Sequence, residues 1–100
     1  MIYEVNIRII SSRVEEYEAW LKPHVQEIIA LPGFTSASVY RQPDEDGFSH
    51  FTMHYHVLNQ EFLDTYLRDH APRLRADAEK NFGGSFTATR RVLTPSLVLE

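Results

Sequence analysis

A chain of 100 residues, 43% of them apolar and none of them cysteine, has the size of one globular domain and can form neither disulfides nor thiolates. Its formal net charge of -4 argues against general nucleic-acid binding, which depends on a clear basic excess. No run approaches the roughly 18 apolar residues of a membrane span, and the N-terminus lacks the pattern of a secretory signal. We therefore expect a cytoplasmic protein with no membrane or nucleic-acid partner.

The chain begins with an alternating segment and an amphipathic one. Apolar and polar residues alternate over Ile2–Ile9, which predicts a half-buried strand. Ser12 and Glu15 have the spacing of a capping box and predict a helix that runs to about Leu31. We expect a kink near Pro23, because a proline inside a helix removes a backbone hydrogen bond.

Two further strands are predicted to form a hairpin. Phe34–Arg41 has the pattern of a strand, Gln42–Gly47 has the composition of an acidic loop, and Phe48–Leu58 alternates again. The third strand places four apolar side chains on one face, namely Phe51, Met53, Tyr55 and Val57. It places three histidines on the other face, namely His50, His54 and His56.

The second half of the chain repeats the pattern of helix and strand. Asn59 is a suitable N-cap for a second helix. Ala71-Pro72 predicts a break, after which a shorter helix runs to Gly83-Gly84. Alternation then predicts a fourth strand over Ser85–Leu93.

The order βαββαβ predicts an α+β, ferredoxin-like fold, in which both helical segments cover one face of a four-stranded antiparallel sheet. The first and third strands are central in this arrangement. The apolar set of the third strand fits the helix-covered face, which puts the histidines on the open face beside Asn6 and Arg8. Tyr17, Trp20 and Tyr66 recur at helical spacing and are expected in the core.

Four segments add a resemblance to this reading: Trp20-Leu21-x-x-His24, Leu31-Pro32-Gly33-Phe34, Tyr66-Leu67-x-x-His70-Ala71-x-x-Leu74-Arg75, and Phe82-Gly83 with Arg90-Arg91-Val92. With them the chain resembles an uncharacterised bacterial domain-of-unknown-function family in the dimeric α/β-barrel superfamily, which also contains the antibiotic-biosynthesis monooxygenases. The resemblance implies a homodimer in which two open sheet faces cover each other. We expect residues 1–94 to form the barrel domain. Residues 95–100 form a tail that could pack on the partner, and Leu99-Glu100 in it resembles a cloning scar.

The open face is the candidate site. His54 and His56 are the leading acid–base residues, because imidazole titrates near neutral pH and can move a proton in either direction. Asn6, Tyr40 and Arg91 are the candidate ligand-binding residues. Arg91 is preferred to Arg90 because Phe86, Ala88 and Val92, which share a face with Arg90, fit the helix-covered side better.

Two other readings of the histidines stay open. His54 and His56 project in parallel and could bind one metal ion with Glu4 or His50 as a third ligand, although the spacing alone is weakly specific and no metal is assigned. The histidines could equally be polar residues that line a wet interface. His24, on the first helix, is expected to hydrogen-bond a carbonyl that Pro23 frees.

These residues support three descriptions of function. The first is a homodimeric barrel protein of uncharacterised function with a small-molecule pocket on the open sheet face. The second, which follows from the resemblance, is a cofactor-independent monooxygenase or cyclase-like enzyme that uses histidine acid–base chemistry, with no cofactor. The third is a noncatalytic ligand-sensing or interaction module.

Overall fold

A computed structural model describes residues 1–100 and has the predicted order of elements. The strands are β1 (Ile2–Ile10), β2 (Phe34–Glu45), β3 (Phe48–Val57) and β4 (Phe86–Leu93); the helices are α1 (Val14–Ile29), α2 (Gln60–Asp69) and α3 (Ala71–Phe82). All neighbouring strands are antiparallel, in the order β2-β3-β1-β4. The α+β, ferredoxin-like prediction is confirmed.

The two faces of the sheet are divided as the alternation predicts. One face packs under the helices and carries the buried side chains Tyr3, Val5, Ile7, Ile9, Phe51, Met53, Tyr55 and Val57. The opposite face carries Glu4, Asn6 and Arg8 of β1, which lie directly across from His54, Thr52 and His50 of β3. The histidine row therefore points away from the helical layer.

The start of α1 differs from the prediction. Ser11–Arg13 form a 3-10 turn, and α1 follows it without a side-chain cap, so Ser12 is not the N-cap. Arg13 instead donates to Glu16 at 2.9 Å and to the carbonyl of Asn81 at 2.8 Å. The bond to Asn81 ties the turn to the end of α3, and the local bond from Arg13 to Glu16 is formed in place of the predicted capping box. The helix then continues through Pro23.

The predicted acidic loop Gln42–Gly47 is mostly strand. β2 continues to Glu45 with an irregular register, and only Asp46 and Gly47 form the turn. Both have positive φ angles, 54° and 80°, as the tight turns of two-residue hairpins require. Pro43 is compatible with β2 because this strand lies at the edge of the sheet, where a missing N–H is tolerated.

The second helical segment follows the prediction. Asn59 caps α2, its Oδ1 accepting from the backbone N–H of Phe62 at 3.0 Å. Pro72 lies in the first turn of α3, where its missing N–H costs little. No helix combines the length and the apolar composition needed to cross a membrane.

Candidate functional site

A buried carboxylate lies at the centre of the open face. Glu4 is only 4% exposed although it points away from the helices. Its Oε1 accepts from Arg91 Nε at 2.7 Å and from Asn6 Nδ2 at 2.8 Å, and its Oε2 lies 2.7 Å from His54 Nε2. The bonds from Arg91 and Asn6 lower the pKa of Glu4 to about 2. Glu4 is therefore ionised throughout the physiological pH range.

Further hydrogen bonds extend this group across the sheet. Thr52 Oγ1 donates to Asn6 Oδ1 at 2.7 Å, and Gln42 Nε2 donates to Thr52 Oγ1 at 3.2 Å. We call this set the open-face network; its members are Glu4, Asn6, Gln42, Thr52, His54 and Arg91. It links all four strands, because Gln42 lies on β2 and Arg91 on β4.

Four of the five predicted site residues come together at this network. Asn6, His54 and Arg91 belong to it, and the Tyr40 ring meets the His54 ring edge-on with centroids 5.4 Å apart. His56 lies on the same face but is exposed and takes no part in the network. The structure contains no group of three or more histidine, aspartate or glutamate side chains that could hold a metal ion.

The geometry gives His54 one defined chemical capability. An ionised carboxylate can only accept, so the hydrogen between Glu4 and His54 lies on Nε2. In the neutral ring Nδ1 is then an acceptor. A histidine whose tautomer is fixed by a carboxylate in this way is suited to accept a proton through its second nitrogen.

A cavity of about 40 Å³ lies on the other side of the sheet, beneath the helices. Four tyrosines line it, namely Tyr3, Tyr17, Tyr55 and Tyr66, and we call it the tyrosine chamber. Apart from His24, Arg75 and Arg90, all of its lining residues are apolar or aromatic. Concave, mostly apolar sites with a few convergent polar groups are the usual form of small-molecule pockets.

The hydroxyls of the four chamber tyrosines differ in their hydrogen bonding. The hydroxyl of Tyr3 accepts from Arg75 Nη2 at 3.1 Å. The other three hydroxyls have no hydrogen-bond partner in the protein. None of them is fully enclosed, because every fully buried side-chain polar atom has a partner. Burial raises the pKa of Tyr55 above its ordinary value and that of Tyr66 to about 12. These phenols are therefore protonated near neutral pH and can donate hydrogen bonds.

Trp20 and His24 form one wall of the chamber. Their rings stack with centroids 4.2 Å apart, one helical turn separating them on α1. The predicted hydrogen bond from His24 to a carbonyl near Pro23 is not formed, and the His24 ring stacks on Trp20 instead. Burial lowers the pKa of His24, which favours the neutral imidazole and makes it a proton acceptor at neutral pH.

The sequence as a whole matches one family model over residues 1–96, that of a domain of unknown function named DUF4286. The chain belongs to the DUF4286 family. No protein of curated function is detectably similar to it in sequence.

Solved structures with the same fold resemble this DUF4286 chain over nearly its full length. A variant of SnoaB, a cofactor-independent oxygenase from Streptomyces nogalater, has a TM-score of 0.72 and 17% identity, covering 98% of this chain and 95% of that one. An antibiotic biosynthesis monooxygenase has a TM-score of 0.62 and 14% identity, covering 95% and 100%. A protein of the EthD family from Bacillus halodurans has a TM-score of 0.63 and 18% identity, covering 94% of this chain and 100% of that one. At these identities the likeness establishes the fold alone.

In this DUF4286 chain Tyr17 and Tyr66 lie in the core as predicted, and Trp20 is partly buried against it. The chamber between them was not predicted. A cavity depends on how helices pack over a sheet, which periodicity does not report. One feature of the sequence did indicate the chamber: Arg90 alternates onto the helix-covered face, where charged residues are rarely found. The presence of several tyrosines, rather than phenylalanines, among the core residues was a second indication of the chamber.

Proposed function

We propose that the protein is a homodimer that binds a small aromatic molecule in the tyrosine chamber of each subunit and acts on it as an oxygenase-like enzyme. The observation that carries this proposal is the chamber itself. It combines aromatic walls with phenol hydroxyls that have no partner in the protein. Aromatic walls favour a flat ring, and free hydroxyls favour a ligand with oxygen substituents.

The size of the chamber limits how such a ligand is held. Pockets that bury drug-sized ligands usually measure roughly 300 to 1,000 Å³. A cavity of about 40 Å³ is far smaller, so a ring can enter only if lining side chains move. We expect Trp20 and His24 to shift, because neither is fully buried.

Neutral His24 supports the catalytic part of the proposal. SnoaB is a cofactor-independent oxygenase, and oxidation by oxygen without a cofactor must draw its electrons from the substrate. A phenol or quinol becomes a better electron donor once it loses a proton. His24 is positioned at the chamber wall to accept that proton, and the protonated tyrosines can bond the resulting oxyanion.

The open face supports the homodimer. Two sheets that pack face to face lie about 10 Å apart, so each can cover the other's polar side chains. The open-face network satisfies its buried carboxylate internally, which lowers the cost of removing water from this face.

Binding and turnover can be tested separately with hydroquinone. The chain has one tryptophan, so the indole N–H of Trp20 gives one signal in a nitrogen-15 NMR spectrum. The Trp20 ring lines the chamber, so this signal reports on the chamber wall. We expect hydroquinone to shift it, and Tyr55→Phe to weaken binding about fivefold, as the loss of one hydrogen bond would. Tyr40→Phe, a change on the open face, is the matched control and should bind like the wild type.

Oxygen uptake tests the enzymatic part. We expect wild-type protein to consume oxygen with hydroquinone faster than the solution without protein, and His24→Gln to bind but lose most of this activity. Binding without oxygen uptake would contradict the enzymatic proposal and favour the noncatalytic ligand-sensing reading. No shift of the Trp20 signal would contradict the chamber as the ligand site.

A second candidate function rests on the bond between Glu4 and His54. If the dimer leaves space over the open face, His54 is a proton acceptor there, with Asn6, Tyr40 and Arg91 as ligand-binding neighbours and His56 as a second histidine. The same titration separates the two candidates. Shifts of the His54 ring signals, retained in His50→Ala and accompanied by an unmoved Trp20 signal, would support the open face over the chamber.

A further inference from the structure

The arginines divide into those with a carboxylate partner and those without. Of the eight arginines in the chain, five form ion pairs with aspartate or glutamate, namely Arg13, Arg41, Arg68, Arg73 and Arg91. Three do not: Arg8, Arg75 and Arg90. Arg8 instead covers the ring of Phe48, with its guanidinium carbon 3.5 Å from the ring centroid.

Both remaining arginines without a carboxylate partner line the tyrosine chamber. Arg75 reaches it from α3 and Arg90 from β4, so they approach from the helical layer and from the sheet. No aspartate or glutamate lines the chamber. In a chain with a net charge of -4, this chamber has two positive charges on its wall and no negative one.

Arg75 is also held in place. Its Nη2 donates to the hydroxyl of Tyr3, a residue that is buried in the sheet, at 3.1 Å. Both arginines are exposed to solvent along part of their length, so they stand at the mouth of the chamber rather than at its floor. Their remaining N–H donors are available for the bidentate hydrogen bonds that guanidinium groups form with carboxylates.

We infer that the ligand of the tyrosine chamber is an aromatic acid, whose ring enters among the tyrosines and whose carboxylate is bound at the mouth by Arg75 and Arg90. The inference rests on the proposed function, because it specifies the ligand class of the same chamber. The arrangement also reduces the space that is needed inside the chamber, since only the ring enters it and the acid group stays near solvent. The tyrosines support it as well, because their protonated hydroxyls add donors and no competing negative charge.

The experiment compares two probes of nearly equal shape, 4-hydroxybenzoate and 4-hydroxybenzamide, which differ in charge. Each is titrated into the nitrogen-15 labelled full chain to about 10 mM, which detects millimolar dissociation constants. We expect the benzoate to shift the Trp20 indole signal with at least tenfold higher affinity than the amide.

Three variants assign that preference to the arginines. Arg75→Met and Arg90→Met keep an apolar stem and remove the charge, and each should reduce benzoate affinity about tenfold, consistent with one charged hydrogen-bonded contact. Both should leave amide affinity nearly unchanged. Arg73→Met is the control on the same helix, since Arg73 pairs with Glu27 and does not line the chamber; it should behave like the wild type.

The remaining outcomes contradict either the aromatic-acid inference alone or the inference together with the proposed function. If the amide binds as tightly as the benzoate, or if Arg75→Met and Arg90→Met keep the preference, the aromatic-acid inference is wrong while the chamber stands as a ligand site. If neither probe, nor hydroquinone, moves the Trp20 signal, the inference and the proposed function both fail. Unchanged chemical shifts of the core signals in the free variants establish that each is folded.

Discussion

Glu4 shows how one side chain on the open face is determined by its neighbours. In sequence it is one polar residue of an alternating strand. In the fold, Arg91 lies across from it on β4 and His54 across from it on β3, so three strands supply its partners. The ionised state of Glu4 therefore depends on partners from neighbouring strands, and this dependence makes the stability of the fold sensitive to pH.

We predict that Glu4→Gln lowers the free energy of unfolding at pH 7 by about 1 to 3 kcal/mol, because the amide leaves donors of Arg91 and His54 poorly paired. The native pKa of about 2 lies below the ordinary value of 4.5. The contribution of the carboxylate is therefore fully present above the unfolded pKa and is lost as pH falls through the native one. The difference in the free energy of unfolding between wild type and variant should therefore decrease as the pH falls from about 5 to about 2.

Urea unfolding followed by Trp20 fluorescence, at one protein concentration across this pH range, measures the difference. Glu61→Gln, at an exposed glutamate that forms no ion pair, is the control and should show a small, nearly constant difference. A Glu4→Gln difference that stays constant with pH would contradict the assigned role of the network.

At the scale of the elements, predictions from local sequence were correct where no contact with a distant residue competed with the local interaction. Asn59 caps α2 and Pro72 begins α3, as their chemistry predicts. Ser12 failed as a cap because Arg13 bonds the end of α3, some 68 residues away in the chain. The loop predicted over Gln42–Gly47 is strand up to Glu45, because pairing with β3 outweighs the turn preference of these residues.

We predict that Asn59→Ala destabilises the protein by about 1 kcal/mol, since it removes the acceptor for the Phe62 N–H. Asn59→Asp keeps an acceptor and should cost much less. Thermal unfolding of both variants, with hydrogen exchange at the first turn of α2, checks this. The cap assignment would be wrong if Asn59→Ala left exchange in that turn unchanged.

At the scale of the whole molecule, the sheet is covered on one face only. A homodimer joined through the open faces should bury an area at least comparable with the roughly 1,600 Å² of a standard interface. Leu97, Val98 and Leu99 are exposed in the tail, where a second copy could also cover them.

We predict that Thr89→Arg, a change on β4 across from Asn6, converts the proposed homodimer to monomer, because it would bury a charge without a partner. Light scattering at micromolar concentration measures the mass. Ala76→Arg adds the same side chain on the exposed surface of α3 and should leave the dimer intact. A wild-type monomer would contradict the homodimer.

The sequence by itself determined the order of elements, the fold class and the sides of the sheet, because strand and helix periodicities are local and each residue's face follows from its neighbours. It also identified Asn6, His54 and Arg91 as residues of one face. Only the tertiary structure decided that Glu4 joins His54 to Arg91, and that tyrosines and two arginines surround a cavity. Those facts depend on distances between residues far apart in the chain, and such distances are set by packing rather than by any pattern along the sequence.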